Sequence, residues 1–84
     1  MNKRIFDIIH RDFSPEHHAR VIAELSSVTV THVMAQSEQN LEATRLAILK
    51  LANGDMTKVT EYTQRAKNDF RDVIWWADET RLGS

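Results

Sequence analysis

The sequence predicts an all-α fold: a small bundle of four to five helices in a single domain, residues 1–84, with residues ~30–52 as the central helix. Three observations point there. Two glycines and one proline in 84 residues leave few places for loops, which favours helices over a meandering sheet. Apolar residues recur at steps of three and four along most of the chain, the period of a helix with one buried face. Ser, Asp and Asn stand where such stripes begin and end, as helix caps do. A chain this short hides only about 60% of the surface its unfolded form exposes, so its core is thin and self-association is a common remedy.

Residues 3–13 place Ile5, Phe6, Ile9 and Phe13 at i, i+1, i+4 and i+8, a short helix in which Asp7 is spaced to pair with Arg11. The stretch "SPEHHARVIAEL" then carries Ser14 at an N-cap, Pro15 at the first helical position and Glu16 near the positive end of the dipole. Val21, Ile22 and Leu25 form its apolar face. Residues 26–33, "SSVTVTHV", alternate β-branched and polar residues as a strand does, but a lone strand has no partner to pair with. A helix end followed by a new cap is the preferred reading. From Val30 the stripe Val30, Met34, Ser37, Leu41, Thr44, Ile48 and Leu51 predicts the central helix. Asn53–Gly54 supplies a left-handed stop and Asp55 the next cap. Met56, Val59, Tyr62 and Ala66 then face inward, with Glu61 four residues before Arg65. At residues 67–69 either the chain breaks and Asp69 caps a last helix bearing Phe70, Val73, Ile74 and Ala77, or one helix runs through.

"RLAILKLANGD" at 45–55 and "DFRDVIWWAD" at 69–78 together resemble a pattern of small uncharacterised bacterial helical proteins. The resemblance covers roughly the C-terminal half. It implies a bacterial origin and a helical fold, and it carries over no activity and no site residue.

The composition narrows the function classes. Eleven basic and twelve acidic residues give a net charge of −1, and the basic residues are scattered rather than gathered in a stripe. That argues against nucleic acid, where phosphate neutralisation dominates affinity. Residues 56–67 could serve as a recognition helix through Lys58, Gln64, Arg65 and Lys67, but Glu61 and the balanced charge count against it. No apolar run approaches the ~20 residues of a membrane span. Zero cysteines exclude disulfides and thiolate metal sites, and fit a cytoplasmic protein. Phosphate-binding loops, dinucleotide turns and nucleophile elbows are absent as motifs, so no catalytic residue and no cofactor is expected.

Three groups of residues remain as candidates. Adjacent residues on a helix point about 100° apart, so Trp75 and Trp76 cannot both face one core. Relative to the mean direction of Phe70, Val73, Ile74 and Ala77, Trp76 lies roughly 110° away and Trp75 roughly 150° away. Arg71, Asp72, Asp78 and Glu79 are the one-turn neighbours of Trp75. A tryptophan framed by charge suits an interface anchor, with Arg71 and Glu79 as flank and Trp76 as bridge to the core. The expected function is therefore a non-catalytic protein-interaction or oligomerisation module, its partner a second copy in a homodimer or another protein. Burial of Trp75 under the N-terminal helix, or stacking on Arg71, would remove that role.

The second group is Glu38, Glu42 and Arg45, which point into the broad apolar sector of the central helix. They define a possible polar pocket for a small ligand or metal, or else a local Glu42–Arg45 pair with Glu38 in solvent. The third is His10, His17, His18 and His32. His17 and His18 diverge on a helix and no His pair has metal-ligand spacing, so solvated surface histidines are expected.

Overall fold

The computed structural model describes residues 1–29, 31 and 37–83, and these form five helices. They are α1 (Lys3–Asp12), α2 (Pro15–Ser26), α3 (Glu38–Ala52), α4 (Met56–Asn68) and α5 (Phe70–Gly83). Each begins or ends for a local reason. The Asn2 side chain accepts from the Ile5 amide at 3.0 Å and opens α1. Ser14 holds the N-cap position of α2 and Pro15 its first turn, but the Ser14 hydroxyl makes no capping bond; its carbonyl accepts from the His17 amide instead. Asp55 caps α4 through the Thr57 and Lys58 amides at 2.9 and 3.4 Å.

The central helix is α3, and it begins at Glu38. Ser37, expected on the inward stripe, is its N-cap: extended in backbone, its hydroxyl accepting from the Asn40 amide at 3.3 Å. A short hydroxyl gains more by closing an orphan donor than by burial. The expected helical residues 30 and 32–36 lie outside the described residues. Of the ambiguous stretch, Ser27 ends α2 through a hydroxyl donated to the Glu24 carbonyl, and Val28 is fully buried; no strand occurs among the described residues.

At 67–69 the chain breaks. Asp69 is extended, and its carboxylate accepts from the Arg71 amide at the start of α5 at 3.0 Å. Asn53 and Gly54, at φ 48° and 85°, turn α3 into α4. The turn packs tightly on the end of α1: a Cβ on Gly54 would stand 2.9 Å from the Asp12 carbonyl oxygen.

α3 lies under the other helices, packed most extensively on α4 and α5. One core draws on every helix: Ile5 and Ile9, Val21 and Leu25, Ile48 and Leu49, Val59 and Ala66, Val73 and Ala77. Thr63 joins it, a residue the apolar pattern of α4 did not single out, while Met56 and Tyr62 are only partly buried. Asp7 and Arg11 do not pair as their spacing suggested; Arg11 turns to its neighbour Asp12 at 2.8 Å.

Candidate functional site

The start of α5 fixes which way its tryptophans point. Asp69 holds the Arg71 guanidinium through Nε at 3.0 Å and Nη2 at 3.1 Å while its carboxylate also caps the helix. The Arg71 contacts hold the Asp69 carboxyl below its ordinary pKa and raise that of Arg71. With α5 so set, Val73 and Ala77 enter the core and Ile74 flanks it.

Trp76 then lies against α4. Its ring meets Tyr62 edge to face, centroids 6.3 Å apart and planes at 63°. It is half-buried, as a bridge between core and rim would be. Trp75 points out. It is 60% exposed, and it is the large apolar side chain left to solvent among the described residues. Among the described residues the α1 helix leaves it largely in solvent, and Arg71 bonds Asp69. Arg71 and Glu79, one turn before and after it, are exposed on the same face, with Arg71 held by Asp69, while Trp76 lies off that face against α4.

Beside this face runs an open groove of about 850 Å³ between α1 and α5, floored by α3. Its cause is local. Ala43, Leu46, Ala47 and Lys50 recur at i, i+3, i+4 and i+7 along α3, and two of the four are too small to fill the space between flanking helices. Ile8 of α1 and Ile74 of α5 form apolar walls, and Arg4, Asp7 and Asp78 stand on the rims. Ile74 and Asp78, the residues before and one turn after Trp75, line the groove; Trp75 itself does not. The sequence reading missed this groove. The signal was the Ala43–Leu46–Ala47–Lys50 stripe, but its walls come from segments some sixty residues apart, and only the fold joins them.

Glu38, Glu42 and Arg45 separate. Glu38 is exposed and makes no side-chain bond among the described residues. Glu42 and Arg45 form a junction instead. Arg45 is 9% exposed and donates Nε to the Leu25 carbonyl at 3.0 Å, Nη2 to the Val28 carbonyl at 2.9 Å and Nη1 to Glu42 at 3.3 Å. The other Glu42 oxygen accepts from the Asn2 amide at 3.3 Å. The cation thus sits at the C-terminal end of α2 and the anion at the N-terminal end of α1, each facing the dipole of opposite sign. Nε, Nη1 and Nη2 each donate to a protein acceptor, three of the five guanidinium N–H groups, so the pair knits three helices together.

Two of the histidines meet. The His10 and His18 rings stack obliquely, centroids 4.5 Å apart, and His18 Nε2 lies 2.8 Å from the Phe13 carbonyl, to which it donates. His17 rests near Glu16 at 3.6 Å, and His32 lies outside the described residues. Among the described residues no three His, Asp or Glu side chains converge as metal ligands do. Nor is any described helix long and apolar enough to cross a membrane. No known protein family, curated protein or solved structure matches the chain.

Proposed function

We propose that the chain is a non-catalytic protein-interaction module whose docking face is the outward side of α5. Trp75 is the anchor, Arg71 and Glu79 form its charged flank, and Trp76 ties the face to the core. The observation that carries this reading is Trp75, 60% exposed on a helix whose other described large apolar side chains, Phe70, Val73, Ile74 and Trp76, are at least partly covered. Burying the remaining area of a tryptophan removes about 150 Å² from water, worth roughly 3–4 kcal/mol, the size of an interface hot spot. The adjoining groove offers a seat for an apolar side chain of the same partner.

Of the two partners the sequence suggested, a second copy or another protein, we favour another protein, because the core draws on all five helices. The absence of cysteine and the resemblance in the C-terminal half fit a bacterial cytoplasmic setting.

The test compares wild type with Trp75→Ala in thermal melts and in quantitative partner capture from cells. The expected outcome is an unchanged melting temperature with loss of the partner. If the variant retains every partner the wild type captures, Trp75 is not an anchor and the reading fails.

A further inference from the structure

His10 lies in the last turn of α1 and His18 in the first turn of α2. On one continuous helix, residues eight apart stand about 12 Å apart along the axis, out of reach of each other. The corner at Phe13 and Ser14 removes that separation. It brings the two imidazoles to a centroid distance of 4.5 Å with their planes at 55°.

The two rings are held differently. His18 is half-buried, and its Nε2 donates to the Phe13 carbonyl at 2.8 Å. In the neutral ring that bond keeps the proton on Nε2 and leaves the Nδ1 lone pair bare. A backbone carbonyl so placed is a common orienting partner of a metal-bound histidine, fixing its tautomer and ring direction. His10 is exposed and has no hydrogen-bond partner among the described residues, so its ring is free to turn.

The separation suits one coordination geometry. With metal–nitrogen bonds of about 2.0–2.1 Å, a metal stands about 3.2 Å from the centre of each imidazole it holds. Two such rings at a right angle on the metal have centres about 4.5 Å apart, against about 5.2 Å at the tetrahedral angle. The observed 4.5 Å is the right-angle value. Right-angle nitrogen ligands belong to tetragonal Cu²⁺ and Ni²⁺, and of the two copper binds the tighter.

We propose that His10 and His18 form a two-histidine clasp for a tetragonal divalent metal ion, Cu²⁺ foremost, across the corner between α1 and α2. His18 binds through Nδ1, and His10 turns one ring nitrogen onto the same ion. No carboxylate joins the pair among the described residues, so water fills the remaining positions. His17 rests near Glu16 and takes no part. The bound ion ties α1, one wall of the groove, to α2.

The experiment titrates Cu²⁺ alone into the full ¹⁵N-labelled chain at neutral pH, in a buffer that does not chelate, and follows the amide signals that the paramagnetic ion broadens. The amides around residues 10 and 18 are expected to broaden before any others. His10→Ala and His18→Ala are each expected to weaken binding about tenfold or more, because the remaining imidazole loses its chelate partner, while His17→Ala leaves affinity within about twofold. His10 is exposed, so His10→Ala keeps the fold and separates loss of a ligand from loss of structure. Pulsed electron paramagnetic resonance is expected to show two coordinated imidazoles in the wild type and one in His10→Ala. Full affinity in His10→Ala, broadening centred elsewhere, a loss in His17→Ala equal to that in His10→Ala, or a single imidazole on the wild-type copper each mean an adventitious ion only and overturn the clasp.

Discussion

The hydroxyl of Thr63 is buried in α4 and has no hydrogen-bond partner among the described residues. A hydroxyl taken out of water without a partner costs stability, and valine has nearly the same shape. Thr63→Val is expected to stabilise the chain by about 1 kcal/mol, a rise of roughly 4–8 °C in a domain of this size. A calorimetric melt of the two proteins checks it; a lower melting temperature would mean the hydroxyl is satisfied after all. Arg45 is the opposite case. A lysine there is a single point charge and cannot reach the Leu25 and Val28 carbonyls and Glu42 together. Arg45→Lys is expected to cost about 2 kcal/mol. Arg45→Met, which strands two carbonyls and the Glu42 carboxylate, is expected to cost about 3 kcal/mol or more. Denaturant titration of the pair against wild type gives the order; equal midpoints would show that the junction is idle.

At the scale of the elements, the joints decide. Gly54 combines a φ of 85° with a close approach to the Asp12 carbonyl, so Gly54→Ala must both strain the backbone and push α1 from the α3–α4 turn. A loss of about 2 kcal/mol or more is expected in the same titration, against a much smaller loss for an alanine at exposed Thr57. The α4–α5 joint is sensitive to acid. Because Arg71 holds the Asp69 carboxyl below its ordinary pKa, the contribution of Asp69 is complete above about pH 4 and is lost as pH falls through the depressed value. The stability gap between wild type and Asp69→Asn is therefore expected to stay constant near neutrality and to narrow below about pH 4; a gap that widens on acidification would reverse the assignment. These joints also show what the sequence could reveal. Asp55, Asn53–Gly54 and the apolar faces of α1 and α5 act through residues within a turn of each other, and local spacing exposes such relations. Ser37 was misread because a hydroxyl on an apolar stripe fits either a cap or a crowded interior. Thr63 escaped notice because its burial comes from packing against other helices.

For the whole molecule, the groove between α1 and α5 was invisible to any local reading. The outward direction of Trp75 followed from helix period alone, whereas the groove needs two ends of the chain brought over α3. The Glu42–Arg45 junction divides in the same way: the i, i+3 pair is local, while its hold on Leu25, Val28 and Asn2 belongs to the fold. That hold bears on oligomeric state. A thin core often needs a second copy, but here the core spans all five helices, and a buried ion pair closes the ends of α1 and α2. With its core closed in this way, the chain is expected to run as a monomer of 9.7 kDa in light scattering after size exclusion, over a wide concentration range. Its unfolding midpoint should then be independent of concentration, since only a dimer couples stability to mass action. A dimer that dissociates in Trp75→Ala would place a second copy on this face and displace the foreign partner. A dimer indifferent to Trp75 would put self-association elsewhere on the surface and leave α5 free to dock.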